Sequence, residues 1–244
     1  MIRPTSVLFL FSAIVLSSCG HNSSEPPGVL SEETGTTQQG SLLKQGDIGT
    51  YEITLENLAP ATGPGSSQPL SPPVIASHSP SFRLFHVGGF ASHELRQIAE
   101  DAFNDPMLTF LNSSDQVHDV EFGGPPILPG ESATYTIQAS TGFHKISLVT
   151  MLVNTNDGFT GVDKVTVPEK GSKVFYLRAY DAGTEENTEL AAHIPGPCCG
   201  NPFVRVPTRE RIRFHRGIRG SGDLDPAVYG WNEPVAKLTI TRTG

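Results

Sequence analysis

Cysteine, positive charge and long apolar runs are all in short supply in this sequence. Only Cys19, Cys198 and Cys199 occur in 244 residues. The last two are adjacent, and neighbouring Cα atoms sit about 3.8 Å apart across a trans peptide, below the usual disulfide span of about 4.4–6.8 Å. A fold stapled by ordinary disulfides is therefore excluded. One reading of Cys198 and Cys199 is a redox or metal-binding pair. With no third cysteine and no clear histidine partner, the favoured reading is two thiols, or a tight vicinal bridge, stiffening the Pro195-Gly196-Pro197 turn. Lys and Arg number 17 against 25 Asp and Glu, a net charge of −8. That balance argues against nucleic acid, whose binding rests on cationic side chains neutralising phosphates. It is compatible with bound cations and keeps a protein soluble. The apolar run from Val7 to Leu16 is too short to cross a bilayer, which takes about 20 residues. Also missing are an internal repeat and a helix of about 10–15 residues between strands, which a parallel α/β sheet requires. No histidine pair falls at a zinc-motif spacing, and no Gly-x-Ser-x-Gly elbow marks a hydrolase. His78 and His215 are expected to be hydrogen-bonded structural histidines rather than ligands or bases.

What is present begins at the N-terminus. Arg3, the short apolar run and the small residues after it make a secretory signal peptide over residues 1–18. Leu16-Ser17-Ser18-Cys19 resembles the bacterial lipobox, in which the chain is cut before the cysteine and that cysteine is lipidated. Cys19 is thus the expected lipidation site and the membrane the first expected partner. Multiple acyl chains hold stably where a single one does not. Gly20, in place of Asp, favours the outer membrane in bacteria with two membranes. The expected location is exported and membrane-anchored, at the outer membrane or cell surface, with the periplasm as the alternative. Residues 19–46 are rich in Ser, Thr, Glu, Gln, Gly and Pro and cannot bury enough surface to offset chain entropy, so they read as a disordered tether. Residues 47–244 are left as one folded domain, a length that suits a β-sandwich.

Within that domain Tyr51, Ile53 and Leu55 alternate with Glu52, Thr54 and Glu56, the period of a half-buried strand. Pro72 to His78 reads as extended. Ser92 caps a helix whose stripe is Leu95, Ile98, Ala99 and Ala102, with Glu94 in its first turn. Asp105-Pro106 opens a second short helix burying Met107, Phe110 and Leu111. Strands follow at 134–139, 145–153 and 173–180, with shorter ones at 117–122, 162–167, 211–215 and 237–241. Short strands separated by Gly and Pro turns predict an all-β antiparallel sandwich with one or two short helices.

Two acidic clusters follow the two strongest strands: Asn154-Thr155-Asn156-Asp157-Gly158, and Asp181-Ala182-Gly183-Thr184-Glu185-Glu186. If both strands emerge at one end of the sandwich, Asp157, Asp181 and Glu185 converge. Crowded carboxylates repel unless a cation neutralises them, and hard oxygen ligands suit calcium better than zinc. Gly158 and Gly183 would let the backbone bend. Two solvated turns are the competing reading, since Asp, Asn and Gly are common turn residues. On spacing alone the solvated turns stand ahead.

Several blocks, in order, make the chain resemble the bacterial branch of the spondin domain family over about 48–240. They are Tyr51 to Leu58, Gln68 to Val74, Ile98-Ala99-Glu100, Ser147 to Phe159, Ala179 to Glu185, Gly217-Ile218-Arg219-Gly220, and Pro234-Val235-Ala236. The resemblance implies an antiparallel eight-stranded β-sandwich, similar to calcium-dependent lipid-binding domains, with a calcium ion at one end. Carried onto this chain, the metal ligands are Asp157, Asp181 and Glu185. The third position departs from the animal pattern, which has Asp where this chain has Glu185. Gly158-Phe159 replaces a Trp after the first Asp. With the resemblance, calcium is favoured over solvated turns.

Arg205, Arg209, Arg211, Arg213, Arg216 and Arg219 form a basic run in an acidic protein. On a strand Arg209, Arg211 and Arg213 share a face. That face is the candidate partner surface, for an extracellular glycan or a surface protein, against the plainer reading of a charged edge strand. The function expected is a lipid-anchored, calcium-binding, non-enzymatic domain for adhesion or recognition. The alternatives are a metal-assisted hydrolase of envelope polysaccharide or lipid, and a structural envelope protein without metal.

Overall fold

The computed structural model describes residues 29–32, 47–60, 68–196, 198–199 and 204–244. The expected signal peptide, Cys19 and the rest of the expected tether lie outside these residues. One stretch of that tether is described and departs from expectation: β1 (Val29–Glu32) pairs antiparallel with β8 (Ser172–Leu177), adding an edge strand to the sandwich.

One sheet has the order β1, β8, β11 (Ala236–Arg242), β2 (Ile48–Asn57), β5 (Ser132–Ser140). The other runs β10 (Arg213–Phe214), β9 (Ala179–Asp181), β7 (Gly158–Thr166), β6 (Lys145–Met151), β3 (Val74–His78), β4 (Val117–Phe122). All pairings are antiparallel. β8 and β9 are two halves of one run, and β1 and β10 are short additions at edges. The remaining principal strands make the eight-stranded sandwich that the resemblance implies. Among the described residues no helix is long and apolar enough to cross a membrane.

Alternation in β2 and β5 buries one face of each. Tyr51, Ile53 and Leu55 meet Ile137, Leu148 and Val162 between the sheets. β3 is buried at all five positions, because a second layer covers its other face. There α1 (His93–Asp101) and α2 (Asp105–Asn112) pack Leu95, Ile98, Met107 and Leu111 on Val74 and Val149. Burial of such side chains contributes about 1.5–3 kcal/mol each. Ser92 caps α1 as its sequence position predicts, its hydroxyl accepting from the Leu95 N–H at 3.2 Å. Ala102 leaves the predicted stripe, since it ends the helix in the left-handed region. Phe110 is 42% exposed and meets Phe82 at the surface instead of entering the core.

The predicted strand 173–180 divides at Arg178. Leu177 pairs with Ala236 in the first sheet, while Ala179 pairs with Thr160 in the second. At the crossing no strand partner takes the Ala179 N–H, which donates to the Glu233 carboxylate at 3.1 Å.

The two ends of the sandwich are distinct. At one, Asp47 accepts from Thr141 N–H, and Thr50 N–H donates to the Gly244 carbonyl. At the other, the Asn57 side chain donates to the Gln68 and Ile127 carbonyls, and Gln68 Oε1 accepts from Asn154 N–H at 3.0 Å. The acidic loops lie at this second end, about 33 Å away along the ten residues of β2.

Candidate metal centre

Asp157 stands immediately before β7, and Asp181 is the last residue of the antiparallel β9. Register places Gly158 opposite Asp181, and the Asp157 carbonyl accepts from Ala182 N–H. The two acidic clusters therefore do meet, though across β7 and β9 rather than at the tips of the two strands predicted. The hairpin from β6 to β7 is closed by Thr155, whose hydroxyl donates to the Leu152 carbonyl at 2.7 Å and accepts from Gly158 N–H at 2.8 Å.

The two glycines matter for different reasons. Gly183 has φ +72° and no room for a side chain against the Glu210 backbone. Gly158 has no positive φ; a Cβ there would lie 2.5 Å from the Thr155 hydroxyl. The sharp bend expected at both is found only at Gly183.

All three predicted ligands are buried, Asp157 completely and Asp181 and Glu185 at 2% exposure. Asp157 Oδ2 accepts from Thr184 N–H at 2.7 Å, Glu185 N–H at 3.1 Å and the Thr184 hydroxyl. Its Oδ1 has no partner. Asp181 is satisfied on both oxygens, by Gly183 N–H, the Asn187 amide and Arg213. Glu185 Oε1 meets Arg205 Nε at 2.7 Å, while Oε2 has no partner.

Burial, and next the charge of Asp181, push Asp157 up to about 7 despite its hydrogen bonds. Burial and then the charge of Glu100 push Glu185 up to about 8, with Arg205 opposing. A buried carboxylate is costly unless a cation or hydrogen bonds satisfy it. Two unpartnered oxygens on adjacent buried acids fit a hard cation. As they stand, no three His, Cys, Asp or Glu side chains among the described residues are arranged to hold a metal ion. The reason is visible in the contacts: each acid has turned to a protein donor, and two arginines supply the positive charge.

Sequence reasoning missed part of this site. Glu100, 4% exposed on α1, meets Arg205 at 3.0 Å. Its signals were an acid flanking the apolar stripe of α1 and its place in the Ile98-Ala99-Glu100 block of the resemblance. Arg205 itself belonged to the basic run, without a role.

The basic run does not form the shared face expected of a strand. Only Arg213-Phe214 is strand, and Arg213 turns onto Asp181 and Glu210. Arg209 and Arg211 instead lie over the ring of Phe90, with guanidiniums 5.4 and 4.8 Å from its centre, and Arg211 donates to the Gly88 carbonyl. Phe90 is 51% exposed.

Cys198 and Cys199 are joined to each other, with Cα atoms 3.8 Å apart. Their turn seats on the acidic hairpin: Cys198 N–H donates to Asn154 Oδ1, and a Cβ at Gly196 would collide with the same oxygen. The tight vicinal bridge foreseen as one option is thus the one formed.

His78, Ser147 and Asp163 make a polar cluster elsewhere, all at most 4% exposed. His78 Nε2 lies 2.7 Å from the Ser147 hydroxyl, which donates to Asp163 at 3.1 Å and accepts from Lys164 N–H. Its burial leaves it without access for a substrate, and it ties the 82–85 loop to the sheet through Leu84 N–H on Asp163.

A family model described as Spondin_N matches residues 54–194, more than half of the chain, with Asp157, Asp181 and Glu185 inside the match and Arg205 beyond it. No curated protein matches.

Proposed function

The chain belongs to the Spondin_N family, whose domains are of the extracellular recognition type, and on that footing we propose that it is a calcium-binding adhesion or recognition domain carried outside the cytoplasm on lipidated Cys19. The observation behind the metal is the pair of buried oxygens without partners, Asp157 Oδ1 and Glu185 Oε2, beside Asp181. Asp157, Asp181 and Glu185 would hold the ion. Calcium supplies no reaction here; it neutralises the crowded carboxylates and ties the 154–158 and 181–186 loops together.

Next to those loops lies the partner surface, redrawn as Arg209, Arg211 and the exposed Phe90. Glu210 between the two arginines hydrogen bonds Gly183 of the acidic loop, so ordering that loop steadies the surface. An anionic glycan or an acidic face of a surface protein suits two guanidiniums around an aromatic ring.

The test is calorimetric titration of the chelator-stripped chain with calcium, alongside thermal melts. One-site binding with a raised melting temperature is expected, weakened at least about tenfold (about 1.4 kcal/mol) by Asp157→Asn. Extracellular calcium modules bind at about 10⁻⁴–10⁻³ M, so millimolar calcium is the range to cover. Absence of heat and of a melting shift across it would remove the metal from the function.

A further inference from the structure

Four buried carboxylates meet at the acidic end, with the part-buried Asp101 beside them, and the guanidiniums of Arg96, Arg205 and Arg213 answer them. Glu100, Asp157, Asp181 and Glu185 are each at most 4% exposed. Arg213 meets Asp181 at 2.9 Å, and Arg205 meets both Glu185 and Glu100. With every group ionised the carboxylates of this network outnumber its guanidiniums, an excess of negative charge that a divalent cation would offset. The excess has a location, because Asp157 Oδ1 and Glu185 Oε2 are the oxygens of the four buried carboxylates left unpartnered.

Arg205 is not a surface cation that happened to swing inward. Its side chain is 19% exposed and held on three sides, by Asp101, Glu100 and Glu185. A guanidinium keeps its charge at any ordinary pH. One oxygen of Glu185 is thus already covered by a permanent cation. An incoming ion must share Glu185 with it or displace it.

We propose that Arg205 is the specificity-determining residue of the metal centre: an internal cation that competes with calcium for Glu185 and lowers the negative charge of the site by one. The inference rests on the calcium reading above. When calcium takes Glu185, Arg205 stays anchored to Glu100 and Asp101 on α1, so the ion acts against Coulomb repulsion from a fixed neighbour. Affinity in such sites follows the charge count of the ligands. Removing the guanidinium makes the site one charge more negative. That strengthens the attraction for any cation and strengthens it more for a trivalent one, since the interaction scales with the product of charges.

The experiment titrates the purified full chain with calcium and with terbium by calorimetry, for the wild type, Arg205→Gln and Arg205→Lys. Arg205→Gln is expected to bind calcium about tenfold more tightly. Its preference for terbium over calcium should rise further, and its metal-free melting temperature should fall. Arg205→Lys, which keeps the charge, should retain the wild-type ratio of terbium to calcium affinity. A strut with no electrostatic role would move melting temperatures without moving that ratio. If the wild type binds calcium and Arg205→Gln shows the same affinity and the same ratio, the proposal is overturned and the calcium reading stands. If the wild type is silent and Arg205→Gln binds, the competition is confirmed. If neither binds either ion, both readings fall. Should Arg205→Gln not fold, Glu100→Gln tests the same idea in reverse: calcium affinity and the preference for terbium both drop on the proposal, and an unchanged ratio refutes it.

Discussion

At the scale of single residues, the acidic end is governed by ionisation. In an unfolded chain Asp157 and Glu185 lose their protons near pH 4. In the fold Asp157 is raised to about 7 and Glu185 to about 8, in both cases chiefly by burial. The folded state therefore binds more protons than the unfolded one over the interval between. The stability this confers is present at low pH and is lost as pH rises through about 7–8. His78 and His215 act with the opposite sign, since burial lowers both to about 4. Their contribution is present above the ordinary histidine value of about 6.5 and is lost as pH falls below it. Above about pH 6.5 the carboxylates alone remain. The metal-free protein is accordingly expected to melt at progressively lower temperature from about pH 6.5 to about 8.5, and saturating calcium is expected to flatten that slope. Thermal melts of the Asp157→Asn, Glu185→Gln double variant check the assignment, because a slope that survives both changes must come from other groups. The acidic clusters holding Asp157, Asp181 and Glu185 were legible in the sequence because Asp, Asn and Gly at the end of an apolar strand is a local pattern, and the resemblance singled out those three acids. Glu100 and Arg205 were not, because their meeting joins α1 to a segment a hundred residues later, and no spacing records that.

At the scale of elements, local pattern and tertiary context divide the credit. β2, β5 and α1 follow their sequences closely, since alternation, helical spacing and a capping serine are local properties. β8 and β9 do not, because a continuous β-rich stretch says nothing about which sheet each half will join. The change of sheet leaves Ala179 N–H dependent on Glu233, whose carboxyl is itself raised above its ordinary value, chiefly by burial. Glu233→Ala is expected to cost about 1–3 kcal/mol, the usual penalty for stranding a buried donor, with calcium affinity nearly unchanged. Urea denaturation measures the first and calorimetry the second. A stability loss within about 0.5 kcal/mol, the range of ordinary surface substitutions, would mean that water serves that N–H as well. Arg211 falls outside the strand predicted over 211–215 for a similar reason: Ile212, next to it, exchanges hydrogen bonds with Gly88 and Gly89, a loop rather than a ladder.

For the whole molecule, the sandwich was legible from strand count and turn chemistry, but the covering of its second sheet by α1 and α2 was visible only as two amphipathic helices without a destination. The separation of the two ends carries a mechanical consequence. A chain held at Asp47 and loaded at the acidic rim is pulled along the axis of β2, which is flanked by β11 and β5. Its ladder bonds on both sides then bear load together, in shear. Pulled instead between Asp47 and Gly244, which lie side by side at the opposite end, the same bonds open one after another like a zip. Force spectroscopy with handles at Asp47 and Glu186 should therefore give a higher rupture force than handles at Asp47 and Gly244; equal forces would show that the weak point is elsewhere. A domain arranged this way resists tension applied between Asp47 and the acidic rim, and yields readily when Asp47 and Gly244, neighbours at the opposite end, are drawn apart.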